Sequence, residues 1–111
     1  MKPVFLDLKM TPEAKVKRKA VAQLKAMDAY YFYPMTYGYG RSGVPDIVAC
    51  YRSKFFGIEC KSGSNKPTAL QEKNLEDIKR AGGFAMVINE DNVDELMEDM
   101  KSMIELTHPL R

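Results

Sequence analysis

A chain of 111 residues can close one hydrophobic core and not two, so a single domain over residues 1–111 is expected. With 45% hydrophobic and 29% charged residues it has the make-up of a soluble globular protein, and no apolar run nears the roughly 18 residues of a membrane span. A formal charge of +2 is too small to announce a nucleic-acid partner, and two cysteines (Cys50, Cys60) with one histidine (His108) cannot supply a four-ligand zinc site. The opening MKPVFLDLKMTPEAK has no long apolar stretch of the secretory kind, which points to the cytoplasm.

Thr11-Pro12-Glu13 reads as a helix start: a hydroxyl cap, proline in the first turn, and an acid near the positive end of the helix dipole. Val16, Ala20, Leu24 and Met27 continue it as one apolar stripe. The same helix carries Lys15, Lys17, Arg18, Lys19 and Lys25, while NEDNVDELMED near the other end is acidic. Two solvated helix faces account for this, and so does a basic end suited to phosphates. In AYYFYPMTYGYGRSG the aromatic first half suits a strand that Pro34 ends or confines to an edge, and the second half reads as a loop. Two more strands follow, VPDIVACY and FFGIECK, with RSK between them as a tight hairpin turn. Lys66-Pro67-Thr68 opens a second helix with Gln71, Leu75 and Ile78 on one face, and AGG stops it. FAMVIN has the length of a buried strand, and Val93, Leu96, Met97, Met100 and Ile104 make a last amphipathic helix. The order αβββαβα predicts an α/β fold: a mixed sheet with helices for both faces, and FAMVIN parallel to an earlier strand.

Asp46, Glu59 and Lys61 stand out because they interrupt strands that otherwise read as buried, where an unpaired charge is costly. Side chains alternate along a strand, so Glu59 and Lys61 share a face and Cys60 points away. A two-residue hairpin loop places Asp46 on that face too; an odd loop without a bulge sends it to the other side. Two carboxylates opposed at ~5 Å repel unless a positive group lies between them. A hard dication such as Mg²⁺ suits the gap, with the peptide carbonyl of Cys60 as a neutral ligand. Lys61 beside it would hold a water or neutralise charge on a scissile phosphate. Read structurally instead, Asp46 ends a turn and Glu59–Lys61 is a solvated strand pair.

Pro45-Asp46 followed thirteen positions on by Glu59-Cys60-Lys61 resembles the PD-(D/E)xK nuclease motif. The glycine of GVPDIVAC, the compact IECKSG and the later TALQEKNLEDIKRAGG resemble the VRR-NUC branch, the virus-type replication-repair nuclease domain, in its stand-alone phage-like form. The likeness runs from the helix at Thr11 to FAMVIN. It implies a restriction-endonuclease-like αβββαβ core and a Mg²⁺- or Mn²⁺-dependent DNA endonuclease. Asp46 and Glu59 would be metal ligands and Lys61 the catalytic lysine. Glu13 matches the family's acidic residue on the first helix, as a ligand directly or through water, although an acid in a first helical turn is expected for capping alone. Gln71 matches a glutamine that the family places beside the active site; on its apolar stripe it also reads as a satisfied inward amide. Cys60 departs from the family's more usual apolar residue and should pack as a small hydrophobe, with no Cys50–Cys60 disulfide because the two face opposite sides.

Arg41, Ser42, Tyr37 and Tyr39 precede Asp46 closely and are expected to contact DNA by phosphate contacts and stacking, as are Lys54, Lys66, Lys73 and the basic face of the first helix; core or dimer surface is the other account of the tyrosines. The resemblance also implies branched DNA such as four-way junctions as substrate, a homodimer, a role in replication, recombination or repair, and a host-cell cytoplasm for a phage protein. The alternative is a DNA-binding module of a larger assembly that performs no chemistry.

Overall fold

The computed structural model describes residues 10–35 and 40–107, so Tyr37, Tyr39 and His108 lie outside the described residues. Helix α1 spans Pro12–Ala26 and begins as its sequence dictates: the Thr11 hydroxyl accepts the Ala14 N–H at 3.1 Å, with proline and Glu13 in the first turn. Its buried stripe is Val16, Ala20 and Leu24. Strand β1 is Tyr30–Phe32 and ends short of Pro34, as expected of an aromatic edge strand. Strands β2 (Ile47–Tyr51) and β3 (Lys54–Cys60) form the hairpin.

That hairpin closes through two residues, Arg52 (φ 51°) and Ser53 (φ 68°), both in the left-handed region that a type I′ turn requires. Tyr51 therefore pairs with Lys54 and Ile47 with Ile58, every pair adding to the same odd total. The loop is thus the two-residue one, which puts Glu59 and Lys61 on the face away from the core; Asp46 meets them from outside the ladder, through the Cys60 N–H. Asp46 itself sits one residue before the ladder, at the mouth of β2.

Helix α2 (Ala69–Arg80) then carries the chain across to β4 (Phe84–Ile88), which runs parallel to β3 with Glu59 beside Val87 and Cys60 beside Ile88. The sheet order β1-β2-β3-β4 is mixed: antiparallel across β1, β2 and β3, parallel between β3 and β4. A 3₁₀ turn, Val93–Glu95, leads into α3 (Leu96–Leu106). Val93 thus lies in that turn and not in the last helix. Asn89 is the local cause: its side chain accepts the Asp91 N–H at 2.9 Å and its carbonyl accepts the Val93 N–H at 2.9 Å, which tightens the entry. Gln23 of α1 clamps the same entry, donating to the Val93 carbonyl and accepting the Met97 N–H at 2.8 Å.

Alternation along the strands sends Ile47, Ala49, Phe56, Ile58, Cys60 and Ile88 to one side, where they form a core with α1 and with Leu96, Met100 and Ile104 of α3. The opposite side of β3 faces α2. Gly57 is the point of closest approach, since a Cβ there would lie 2.5 Å from Ile78 and 3.0 Å from Pro45. Helices therefore cover both faces of the sheet, and among the described residues no helix is long and apolar enough to cross a membrane.

Candidate active site

The hairpin's open end gathers the charged residues. The Asp46 carboxylate accepts the Cys60 N–H at 2.8 Å, which fixes it across the end of β3. Glu59 is 1% exposed, and Lys61 Nζ lies 3.4 Å from its Oε2. Its other oxygen, Oε1, is buried with no hydrogen-bond partner among the described residues. Burial, and next the Asp46 carboxylate, push the Glu59 carboxyl up to about 7 against the opposing pull of Lys61. The Lys61 N–H donates to the Ile88 carbonyl at 2.9 Å, so the β3–β4 ladder continues into the site and aims the lysine. Gly63 N–H donates to Glu90 at 2.7 Å, tying the following loop to the end of β4.

Cys60 points the other way, fully buried in the core. Burial, followed by the carboxylates of Asp46 and Glu59, pushes its thiol up to about 12, so it packs as a neutral hydrophobe. Cys50 is exposed and both thiols are free, as alternation predicts.

A cleft of about 210 Å³ opens beside Asp46, lined by Thr11, Glu13, Ala14, Lys17, Asp46 and Cys60. Glu13 is thereby brought to the same end of the molecule as Asp46. No group of three or more His, Cys, Asp or Glu side chains is close enough among the described residues to form a ready-made metal cage. The residues nonetheless fit a dication. An orphaned buried carboxylate oxygen beside a second carboxylate is a site short of positive charge, and hard oxygen donors are what Mg²⁺ or Mn²⁺ takes.

Gln71 has a local task. It is the third residue of α2, where its Oε1 accepts the Thr68 N–H at 2.9 Å and its own N–H donates to the Thr68 hydroxyl at 3.2 Å, a complete capping box. Its amide nitrogen takes no part in that box.

The expected phosphate contacts separate in space. Arg41 and Lys73 both pair with Asp77, the latter at 3.2 Å, and Arg80 joins them at 3.3 Å. These cations hold the Asp77 carboxyl below its usual range, the Lys73 hydrogen bond first. Arg41 and Asp77 line a different cleft, of about 330 Å³, with Phe55, Asn74, Ile78, Ala81 and Gly83. The Ser42 carbonyl accepts the Asn74 side-chain N–H at 3.0 Å. Gly43, at φ +76° and with Leu70 and Asn74 pressed on it, takes the chain from there into Pro45-Asp46. Lys54 sits at the far end of β3, about 20 Å from Cys60 at a strand's rise per residue. Lys66 is exposed on the loop that leaves Lys61. Lys17 was legible only as one member of a basic helix face, although its spacing four residues after Glu13 puts both on one side of α1.

The element order, the mixed sheet and the helices on both faces define a restriction-endonuclease-like α/β fold. A solved structure titled "VRR_NUC domain" shares it, with a TM-score of 0.64 over 89% of this chain and 100% of that one, at 21% sequence identity. No protein family matches the chain by sequence, and no curated protein matches it.

Proposed function

We propose that the protein is a Mg²⁺- or Mn²⁺-dependent endonuclease of the PD-(D/E)xK type that hydrolyses phosphodiester bonds in DNA. The observation that carries this reading is Glu59: a buried carboxylate with one unpartnered oxygen, facing Asp46 and flanked by Lys61, on the fold of a VRR_NUC domain. Asp46, Glu59 and the Cys60 carbonyl would hold the ion, with Glu13 reaching it directly or through water. When bound, the ion supplies Lewis-acid polarisation of the phosphate and lowers the pKa of water.

The chain's own residues do the rest. Cys60 N–H steadies the Asp46 carboxylate, so the pair of acids is organised before any ligand arrives. Glu59 holds the Lys61 ammonium at 3.4 Å, positioned to donate to a phosphate oxygen as negative charge develops. A protonated lysine cannot act as a base, so orientation and charge stabilisation are its part. The amide nitrogen of Gln71, which the capping box does not use, would add a donor from the start of α2. Following the resemblance, branched DNA in replication, recombination or repair is the substrate, and two copies pair as a dimer.

The test is incubation of purified protein with branched, flapped and linear DNA, with Mg²⁺, Mn²⁺ or a chelator. Wild type cuts only with metal, and Asp46→Ala, Glu59→Ala and Lys61→Ala each lose about 10²–10³-fold in rate, the scale of one essential electrostatic contact. Equal cutting by wild type and Glu59→Ala overturns the assignment. DNA binding that ignores metal, with no cutting by any protein, leaves the binding module in its place.

A further inference from the structure

Charge balance around the cleft points to a second cation that works on the substrate. Glu13, Asp46 and Glu59 bring three formal negative charges to this end of the sheet, and a polyanion cannot approach them unaided. Lys61 is engaged with Glu59 on the α2 side of β3. On the α1 side, Lys17 is the basic residue among the described residues that line the cleft. Lys15 and Lys19 line a separate recess with Pro12, Val16 and Glu90, and Lys25 lies in the last turn of α1. Among the described residues Lys17 makes no ion pair; its ammonium rests 4.2 Å from the centroid of the Tyr33 ring. A cation held by an aromatic face keeps its charge available to an incoming anion, because the ring offers no competing counter-charge. With Lys17, Lys61 and one dication, the formal balance at the site turns from minus three to plus one.

We propose that Lys17, steadied by Tyr33, is a substrate-binding residue of this site that grips a backbone phosphate on the α1 side of the scissile bond. This rests on the nuclease reading for the substrate's position but not for the binding itself. The phosphate and Lys61 then lie on opposite sides of the paired carboxylates, which orients the strand across the end of β3 instead of along the sheet.

The experiment measures DNA affinity against salt concentration with Ca²⁺ replacing Mg²⁺, so that binding is read apart from turnover, and steady-state cutting with Mg²⁺. Lys17→Ala lowers the steepness of the log–log salt plot by about 0.9 and weakens binding about five- to tenfold, the expectation for one lost phosphate contact. The loss appears in KM, with kcat within about twofold. Lys17→Arg restores both, Tyr33→Leu gives a smaller loss of the same kind that Tyr33→Phe does not, and Lys101→Ala, on α3, leaves the slope at the wild-type value. Thermal melts accompany each variant; Lys17→Arg and the Tyr33 pair decide the matter if Lys17→Ala is poorly folded. A Lys17→Ala protein that matches wild type, or that cannot be told from Lys101→Ala, overturns the proposal while leaving the nuclease reading intact. Binding that depends on Lys17 without any cutting does the reverse. A wild type that binds no DNA overturns both.

Discussion

Glu59, with its carboxyl pushed up to about 7, couples the folding of this protein to pH. From about pH 4.5 to about 7 the folded chain keeps a proton that the unfolded chain has already lost. The unfolded state binds fewer protons across that window, so stability falls as pH rises through it. At about 1.4 kcal/mol per pH unit the fall is at most about 3.5 kcal/mol. Glu59→Gln should flatten it: urea melts at pH 5 and pH 8 will show the loss in wild type and little of it in the variant. Mg²⁺ at pH 8 should return about 1.4 kcal/mol to wild type at ten times its dissociation constant and nothing to the variant. A wild type indifferent to both pH and Mg²⁺ would mean that the carboxylate is satisfied in another way. At this scale Glu59 and Lys61 were readable as a pair because a strand's period of two puts them on one face, whereas Asp46, one residue outside the ladder, is held by the hydrogen bond it accepts from the Cys60 N–H. Lys17 was not, since its closeness to Asp46 depends on where α1 docks, and no local pattern encodes that.

Among the elements, α2 is where a local and a functional account of one residue compete. Thr68-x-x-Gln71 is a capping-box sequence that could have been recognised from spacing alone, whereas its apolar stripe drew attention to an inward amide instead. The two roles can be separated. Gln71→Glu preserves the box, because glutamate accepts the Thr68 N–H equally well, and should melt within about 0.5 kcal/mol of wild type. Thr68→Ala should cost about 1 kcal/mol by losing the cap. If DNA cutting falls sharply in Gln71→Glu while stability holds, the amide nitrogen serves the chemistry; if cutting follows stability through both variants, its work ends at the helix start. The last helix teaches a related lesson. Its apolar period extended smoothly back to Val93, but the hydrogen bonds of Asn89 interrupt the backbone there, and hydrophobic spacing carries no record of such a competitor.

For the molecule as a whole, element order was legible almost completely: an antiparallel meander, a helix and a returning parallel strand leave few ways to build the sheet. The distribution of charge over the surface was less so. Arg41 looked like a neighbour of Asp46 by sequence distance, yet it bonds to Asp77 beside another cleft, because the segment from Arg41 to Pro45 lies against α2. The cations are thus divided, with Lys17 and Lys61 beside the carboxylates and Arg41, Lys73 and Arg80 around Asp77. The Arg52-Ser53 turn bears on how any of this can be measured. Two ordinary L-residues hold left-handed backbone there, at the end of the hairpin remote from the carboxylates. Replacing them by Asn-Gly should raise the melting midpoint by several degrees, the shift expected for about 1 kcal/mol in a domain of this size. Because the register would stay as it is, such a chain would tolerate damaging changes around Glu59 that the wild type could not survive, and a lost activity could then be read as chemistry instead of collapse.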